Sequence, residues 1–425
     1  MIEKQPSCDD TSEPELLPVS VARERLFKSL KPRVLPETIS LTEAFDRVLA
    51  SDIVSTMNVP SQSNSAMDGY AISAISIPDA GEAVLDLKGT AWAGKPFEGT
   101  VATGEAVRIF TGAILPAGAD TVVIQEHVRD SGAQVAIDSE VIAGKNVRHA
   151  GEDIKKGQSV LSAGRKLEAA DVGVIASLGI ASVDVFRPLK VAYFTTGDEL
   201  CSLGQHPPGQ SLSAGMLFDS NRHTLACLLQ SMGVEAIDLG IVRDNEQDTR
   251  DALERAASCA DVIITSGGVS AGEADFVTRV FHELGSVSFW KLAMRPGRPL
   301  AFGSVGEAAF FGLPGNPVAV MVTFLEFVKP AIRYLSGMDD VNPVTLPAIS
   351  ESTLRKPHGR VEYQRGILRV NSDGILVVAS TGKQGAGRLS SMSKANCLIV
   401  IDAHIDGVKP GDKVGVQPFH GLLDG

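Results

Sequence analysis

With 425 residues, the chain is longer than a single hydrophobic core normally organises, so we expect about two to four domains. Its formal net charge of −12 and its aromatic content of 5% argue against a general nucleic-acid or anionic-membrane binder. The five cysteines lack CxxC spacing, which indicates reduced thiols rather than disulfides or a zinc site.

The first residues are polar and acidic, unlike a secretory signal, and no segment has the roughly 20 apolar residues that span a bilayer. We therefore expect a soluble, cytoplasmic protein that binds neither membranes nor nucleic acids. Residues from about Val19 to Ala50 belong to a support structure, in which helical signals alternate with Pro32 and Pro36. A predicted helix then follows at Leu41–Leu49, introduced by Thr42 and Glu43.

A polar, turn-rich loop at 60–71 contains one acid, Asp68, and leads into a predicted strand at Tyr70–Ile72. From Leu85 to Val147, short apolar stretches alternate with glycine and proline turns, which predicts a compact β domain. A strand at Gln158–Leu161 and a helix at Leu167–Leu178 then resume the support structure. The β domain is therefore predicted to be inserted into it.

Strands and helices alternate after Leu189. This pattern predicts a parallel sheet with helices on both faces. The predicted elements are the strands Val191–Thr195, Ile237–Val242, Val262–Ile264, Val287–Leu292, Leu300–Phe302 and Phe310–Gly312, and the helices Ser220–Met232, Gln247–Ser258, Ala274–Leu284 and an apolar helix from Pro317 to Leu335.

Ligands of such sheets sit beyond the carboxyl ends of the strands. Four polar segments follow predicted strands and can converge there: 197–199, 243–244, 266–275 and 312–317. In the third, Ser266, Gly267, Gly268 and Ser270 form a loop between a strand and a helix, a common anion cradle. An ordinary βα turn with Asp275 capping its helix explains this loop alone equally well.

Carboxylates gather at the same edge: Asp198, Glu199, Asp244, Glu273 and Asp275. Acids around a phosphate-binding loop are useful if Mg²⁺ is present, because this ion takes one or two carboxylates and completes its shell with phosphates and water. Each acid alone is also explained as a helix cap or a solvated loop charge.

Cations form the other half of the candidate site. Lys291, Arg295 and Arg298 flank a Pro-Gly turn, and arginine forks suit phosphates and other oxyanions. Pro314 and Pro317 bracket a rigid Gly-Asn turn that could line an oxyanion pocket. A basic surface loop and a plain helix entry are the alternatives.

Residues 346–418 predict short strands with turns, which fits a small β-barrel or sandwich, interrupted by a long polar loop at 380–393.

Six motifs, in this order along the chain, resemble the molybdopterin molybdenumtransferase family, which includes the C-terminal catalytic domain of gephyrin. They are Asn64-Ser-Ala-Met-Asp-Gly-Tyr-Ala71, Phe110-Thr-Gly-Ala113, Gly151-Glu-Asp153, Thr196-Gly-Asp-Glu-Leu200, the segment 266–275 and Gly312-Leu-Pro-Gly-Asn-Pro317. The resemblance runs from about residue 20 to 420.

The resemblance implies a multidomain α/β and β fold: a three-layer α/β domain of the molybdopterin-binding type with a parallel-rich sheet, an inserted β domain, an α+β support domain and a C-terminal β-barrel. The implied boundaries are 18–57 with 148–187 for a support and dimerisation domain, 58–147 for the inserted domain, 188–336 for the α/β domain and 337–425 for the barrel.

The implied activity is Mg²⁺-dependent insertion of molybdate into adenylylated molybdopterin, with release of AMP and formation of molybdenum cofactor. The implied assembly is a homodimer whose site is shared between protomers, with the molybdopterin adenylyltransferase and molybdoenzyme maturation proteins as further partners.

The resemblance also assigns residues. Asp68 and Thr111 would act from the partner protomer, and Glu199, Asp244 and Asp275 would hold Mg²⁺ or position the pyrophosphate. The molybdate and pterin end would be lined by Lys291, Arg295, Pro314, Pro317, Arg355 and Ser391. The family often has lysine at positions 295 and 298, and the loop around Ser391 aligns only loosely.

Two other functions are compatible with part of this pattern. The adenylyltransferase of the preceding step shares the α/β domain and a similar Ser-Gly-Gly loop, but lacks the Asn64–Ala71 motif and the added domains. A scaffold that clusters partners is the non-enzymatic alternative, and this chain shows no separate linker or partner module.

Overall fold

The computed structural model describes residues 16–204, 212–268, 280–281, 283–339 and 341–419. The chain divides into two compact units. The first comprises Met1–Glu37, Asp46–Val48 and Phe186–Gly425, and the second comprises Thr38–Phe45 and Leu49–Val185.

Helices occur in both units. They are α1 (Val19–Ser29), α2 (Ala169–Ser177), α3 (Ser220–Gln230), α4 (Glu246–Cys259), α5 (Pro317–Thr323), α6 (Lys329–Leu335) and α7 (Leu389–Lys394), with a π-helical turn, Phe324–Val328, between α5 and α6 and short 3₁₀ helices at Leu41–Glu43, Ala74–Ser76 and Gln125–His127. Within the described ranges, no helix is long and apolar enough to cross a membrane.

Twelve strands precede residue 187 in the described part of the chain. They are β1 (Pro36–Ser40), β2 (Ile53–Val54), β3 (Asn64–Ser65), β4 (Gly69–Ile72), β5 (Glu82–Ala91), β6 (Glu105–Ile109), β7 (Thr121–Ile124), β8 (Arg129–Asp130), β9 (Gln134–Asp138), β10 (Val147–Arg148), β11 (Ser159–Leu161) and β12 (Ser182–Phe186).

The main sheet of the second unit has the strand order β7-β4-β6-β5-β9-β8. β5 and β6 are parallel, and the other neighbours are antiparallel. Side chains alternate across this sheet, so Tyr70 and Ile72 enter one apolar cluster while Ala71 enters another. The remaining strands form the pairs β1-β12, β10-β3 and β11-β2.

The predicted helix Leu41–Leu49 is wrong. A 3₁₀ helix at Leu41–Glu43 is followed by a turn in which Asp46 has φ 68°, a left-handed conformation that an α-helix cannot contain. The Leu49 amide then donates to the carbonyl of Arg165 instead of to a helical neighbour.

Sixteen strands follow in the described part of the first unit. They are β13 (Lys190–Thr196), β14 (Leu200–Cys201), β15 (Leu217–Phe218), β16 (Glu235–Val242), β17 (Val262–Ser266), β18 (Gly285–Lys291), β19 (Met294–Arg295), β20 (Pro299–Val305), β21 (Ala308–Leu313), β22 (Leu346–Ser350), β23 (Leu354–Arg355), β24 (Val361–Val370), β25 (Leu376–Ser380), β26 (Cys397–Ile401), β27 (Gly407–Val408) and β28 (Lys413–Pro418).

The central sheet of the first unit has the order β16-β13-β17-β21-β20-β18. The first four strands are parallel, and β20 and β18 add an antiparallel edge. Val262 and Ile264 face a cluster that includes residues of α1, α3 and α5, whereas Ile263 faces a second cluster with α4. Helices therefore cover both faces, as predicted. Of the predicted helix Ala274–Leu284, residues 274–279 and 282 lie outside the described residues.

The last part of the first unit contains a closed β-barrel of five strands. The order β24-β25-β22-β28-β26 closes because β26 also pairs with β24, and β19 extends the sheet beside β24. The barrel core contains Leu354, Val378, Ile399 and Val416. Of the barrel and the sandwich that the sequence left open, the barrel is confirmed.

Candidate functional site

The carboxyl ends of four parallel strands meet at one edge of the central sheet. Thr196 of β13 pairs with Val242 of β16, and Ser266 of β17 pairs with Thr195 and with Leu313 of β21. The four polar segments that follow these strands therefore start side by side. The structure thus brings together the segments that the sequence predicted to converge.

Three acids follow two of these strands. The Asp244 amide donates to Asp198 Oδ1 at 3.4 Å, and the Glu199 carboxylate folds back beside Gly197. Asp244 is exposed as a residue, but its carboxyl group is partly shielded from water. This burial raises the pKa of Asp244, and the negative charges of Asp198 and Glu199 raise it further. The edge is thus arranged to favour a cation.

Among the residues that the structure describes, no group of three His, Cys, Asp or Glu side chains is gathered closely enough to hold a metal ion. Asp275 and Ser270 lie outside the described residues. The described acids nevertheless fit Mg²⁺, which needs only one or two protein carboxylates when substrate phosphates and water complete its shell.

The glycine loop lies against β13. Gly267 has φ 94° and Gly268 has φ 66°, and a Cβ atom on Gly267 would lie 2.4 Å from the Thr196 carbonyl oxygen. Only glycine allows this backbone to approach so closely. A small cavity beside the loop is lined by Phe194, Thr196, Asp244, Thr249, Thr265, Gly267, Gly268 and Phe281.

Ser266 joins the glycine loop to the proline turn. Its hydroxyl donates to the Pro314 carbonyl at 3.1 Å and accepts from the Asn221 amide at 3.0 Å. The same Asn221 nitrogen donates to the Gly315 carbonyl at 2.8 Å. Pro317 occupies the first turn of α5, where its missing N–H costs no hydrogen bond. Hydrogen bonds from Ser266 and Asn221 therefore hold the proline turn in place.

The cationic residues lie at the edge strand of the central sheet and beside the barrel. Lys291 ends β18, and Arg295 lies in β19 next to β24. The Arg295 guanidinium is 3.5 Å from the carboxylate of Glu362, a buried residue of β24. Gln364 donates to Glu362 at 2.8 Å and to the carbonyl of Arg355 at 3.4 Å, which links Arg355 to Arg295.

Ser391 contacts a buried guanidinium. Arg365 is 1% exposed, its Nε donates to Ser391 Oγ at 3.1 Å, and its Nη2 donates to the Gly385 carbonyl at 3.3 Å. Burial lowers the pKa of Arg365 to about 10, against the attraction of Glu362. Ser391 lies in α7, so the predicted polar loop at 380–393 ends in a short helix. Because the Val318 amide donates to the Ala386 carbonyl at 3.1 Å, the loop that precedes α7 adjoins the start of α5.

Asp68 and Thr111 form a contact in the second unit. The backbone N–H and the hydroxyl of Thr111 donate to Asp68 Oδ1 at 2.8 and 2.7 Å. These two hydrogen bonds, with the backbone one first, lower the pKa of Asp68. The pair predicted from two separate motifs is therefore brought together.

Known proteins match nearly the whole chain. Family profiles described as "MoeA N-terminal region (domain I and II)", "Probable molybdopterin binding domain" and "MoeA C-terminal region (domain IV)" match residues 17–179, 192–334 and 347–419. The molybdopterin molybdenumtransferase of Haemophilus influenzae is 41% identical over 410 residues, which cover 96% of this chain and 100% of that protein.

This chain belongs to the molybdopterin molybdenumtransferase family.

Two further relatives agree with that membership. Gephyrin of Dictyostelium discoideum is 32% identical over 426 aligned positions, which cover 89% of this chain and 58% of that protein. The crystal structure of a molybdopterin biosynthesis MoeA protein from Pyrococcus horikoshii is 29% identical, has a TM-score of 0.82 and covers 95% of this chain and all of that one. The predicted family and fold class are confirmed, and the family is one of transferases in molybdenum cofactor biosynthesis.

Sequence reasoning missed three residues of the candidate site: Asn221, Glu362 and Arg365. Asn221 lies in the first turn of α3, where an Asp-Ser-Asn run looks like ordinary capping, and Asp219 does cap that helix. Glu362 lies between Val361 and Tyr363 in β24, and Arg365 lies between Gln364 and Gly366 of the same strand, where charged side chains usually face solvent. An acid and a base three positions apart in one predicted strand are the signal that could have found them.

Proposed function

We propose that this chain catalyses Mg²⁺-dependent insertion of molybdate into adenylylated molybdopterin, with release of AMP and formation of molybdenum cofactor. One observation carries the proposal beyond family membership: acids and a glycine loop occupy one side of the sheet edge, and the proline turn leads to an arginine-rich side. A substrate with a phosphoanhydride and a second oxyanion needs both kinds of environment.

The acidic side would take the metal and the pyrophosphate. Glu199 and Asp244 would hold Mg²⁺ together with Asp275, and the bound ion would neutralise the phosphoanhydride and the leaving AMP. The backbone N–H groups of Gly267 and Gly268, with Ser266 and Ser270, would cradle phosphate oxygens. The close approach of Gly267 to Thr196 supports this role, because it leaves no side chain in the way.

The basic side would bind molybdate next to the dithiolene. Lys291, Arg295 and Arg355 supply positive charge, and Pro314, Pro317 and Ser391 supply a fixed wall and a hydroxyl. The hydrogen bonds around Glu362 and Arg365 support this proposal, because they fix the residues next to Arg295 and Ser391.

We further propose a cytoplasmic homodimer in which Asp68 and Thr111 of one protomer complete the site of the other. The Asp68 carboxylate, kept ionised by its two hydrogen bonds from Thr111, would orient substrate donors or water. The molybdopterin adenylyltransferase would supply the substrate, and molybdoenzyme maturation proteins would receive the product.

The test is an AMP-release assay on the pure protein with adenylylated molybdopterin, Mg²⁺ and molybdate. We expect AMP release to require both Mg²⁺ and molybdate. Asp244→Asn should slow release strongly, while supplying ATP and molybdopterin instead of the adenylylated substrate should give no adenylylation. Release that is independent of molybdate would refute the proposal.

A further inference from the structure

A tryptophan and a phenylalanine stack on the second unit. The rings of Trp92 and Phe110 have centroids 4.1 Å apart and planes only 10° apart. Trp92 is nevertheless 50% exposed. Because one face of the indole rests on Phe110, the exposed half includes its other face. The unit therefore presents a flat, open aromatic surface.

This stack lies at the sheet edge that also carries Asp68 and Thr111. β5 and β6 are parallel with Ala91 paired to Ile109, so Trp92 and Phe110 leave the sheet side by side. Asp68 reaches the same edge, because β4 is antiparallel to β6 and its first residue, Gly69, also pairs with Ile109. The open indole is thus next to the acid and hydroxyl already assigned to the substrate.

The stack is rigid. Trp92 and Lys95 exchange two backbone hydrogen bonds of 3.0 Å around a tight turn that contains Gly94, with φ 77°. The Arg108 guanidinium lies 5.4 Å from the Phe110 ring centroid and 4.8 Å from that of Tyr70. A ring that is already fixed loses little conformational entropy when a ligand binds.

Arg108 is itself fixed by its hydrogen bonds. One of its terminal nitrogens donates to the Tyr70 hydroxyl at 2.5 Å and the other to Gln125 Oε1 at 2.5 Å. The Tyr70 hydroxyl in turn donates to Asp130 at 2.5 Å.

We propose that the open face of Trp92 stacks on a bicyclic nitrogen heterocycle of the substrate. This inference rests on the proposed function, whose substrate carries two such ring systems, the adenine and the pterin. Stacking on an indole face accepts either, because every such ring has a π-face of similar size. Asp68, at the same edge, would then accept from ring N–H or amino groups.

The binding test uses the tryptophan as its own probe. The chain has two tryptophans, so Trp290→Phe leaves Trp92 as the sole indole fluorophore. We expect adenylylated molybdopterin to quench its emission, and titrations with AMP alone and with tetrahydropterin alone show which ring is stacked. The difference in quenching between the wild type and Trp92→Phe gives the same readout if Trp290→Phe fails to fold.

The kinetic test separates stacking from folding. Trp92→Ala should raise the KM for adenylylated molybdopterin by roughly 5- to 150-fold, the range for losing one stacked base, with a smaller effect on kcat. Trp92→Phe keeps a flat ring and should restore most of the affinity. Phe45→Ala is the matched control, because Phe45 is an exposed aromatic of the same unit, at 63% exposure, and should leave KM unchanged.

The two proposals fail separately. If the substrate saturates AMP release without quenching Trp92, the stacking proposal is overturned and the proposed function stands. If Trp92 is quenched but no AMP is released, stacking stands and the proposed function fails. Loss of the dimer in Trp92→Ala without any quenching would assign the ring to a contact between copies of the chain and would also overturn the proposal.

Discussion

The Asp261 carboxylate forms an ion pair with Arg187 where the strands β13 and β17 of the central sheet begin. Its two oxygens accept from the Arg187 guanidinium at 2.7 and 2.8 Å, and one of them also accepts from the Lys190 amide at 2.8 Å. Burial alone would raise the pKa of Asp261, but the hydrogen bonds from Arg187 and Lys190 outweigh it and leave that pKa lowered. Folding therefore favours the ionised carboxylate.

We predict that Asp261→Asn lowers the stability of the first unit near pH 7 by about 1.5–3 kcal/mol, the range for a charged hydrogen bond. Because the folded pKa is the lower one, this stabilisation is complete above the unfolded value of about 3.9 and is lost as the pH falls through the folded pKa. Calorimetric midpoints of wild type and variant should therefore differ near neutral pH and converge in acid.

The exposed Lys28–Glu24 pair supplies the control for this prediction, and Glu24→Gln should leave the midpoint almost unchanged. A difference between wild type and Asp261→Asn that is the same at every pH would show that the carboxylate charge is not what stabilises the fold.

Thr111 offers a second residue-scale test. Its hydroxyl and backbone N–H both donate to Asp68, so Thr111→Val removes one of two donors, whereas Thr111→Ser keeps both. We expect Thr111→Val to slow AMP release on the order of tenfold or more, and Thr111→Ser to retain most of the wild-type rate. If Thr111→Val and Thr111→Ser released AMP at equal rates, the Thr111 hydroxyl would have no role in the reaction.

At the scale of elements, the turn after β17 makes a sharp prediction. Gly267→Ala would place a Cβ 2.4 Å from the Thr196 carbonyl oxygen, at a φ that disfavours a side chain. We therefore expect a lower melting temperature and slower AMP release.

Gly315 is the control for the stability readout, because it has no positive φ and a Cβ there would meet no atom within 4 Å. Gly315→Ala should melt like the wild type. A Gly267→Ala protein that also melts like the wild type would contradict the close packing of the glycine loop on β13.

Element prediction succeeded where a local pattern decides the structure. The block Val262, Ile263 and Ile264 is β-branched and bounded by glycines, and it forms the buried strand β17 as predicted. Leu41–Leu49 has a helical pattern too, but the left-handed Asp46 and the pairing of Leu49 with Val185 override it. Pairing between residues this far apart in the sequence cannot be recognised from the residue pattern of a short segment.

The candidate site, like the helices and strands, was predictable only where a local pattern decides the structure. The loops at the sheet edge could be predicted because parallel strands place their carboxyl ends together. The contact between Arg365 and Ser391 could not, because it joins residues 26 positions apart through a guanidinium buried in the barrel. The sequence around Arg365 does not indicate that its guanidinium will contact Ser391.

At the scale of the whole molecule, the proposed shared site predicts complementation. Asp68→Asn alters the second unit and Asp244→Asn the first, and each homodimer should have little activity. If the site combines both units from different protomers, a mixed dimer contains one intact site. Random exchange of equal amounts should then restore about a quarter of wild-type AMP release, as two-fold symmetry requires.

Light scattering of each variant alone checks that the dimer persists. Mixing that restores no activity despite confirmed subunit exchange would place Asp68 and Asp244 in the same protomer's site.

The proposed reaction makes AMP release and molybdenum insertion one coupled event. The most direct measurement counts, in a single reaction, the AMP formed and the molybdenum bound to pterin, over a range of molybdate concentrations. We expect the two amounts to rise together and remain equal, and both to vanish without molybdate. AMP formed in excess, with no matching molybdenum in the pterin product, would show that the two events are not coupled.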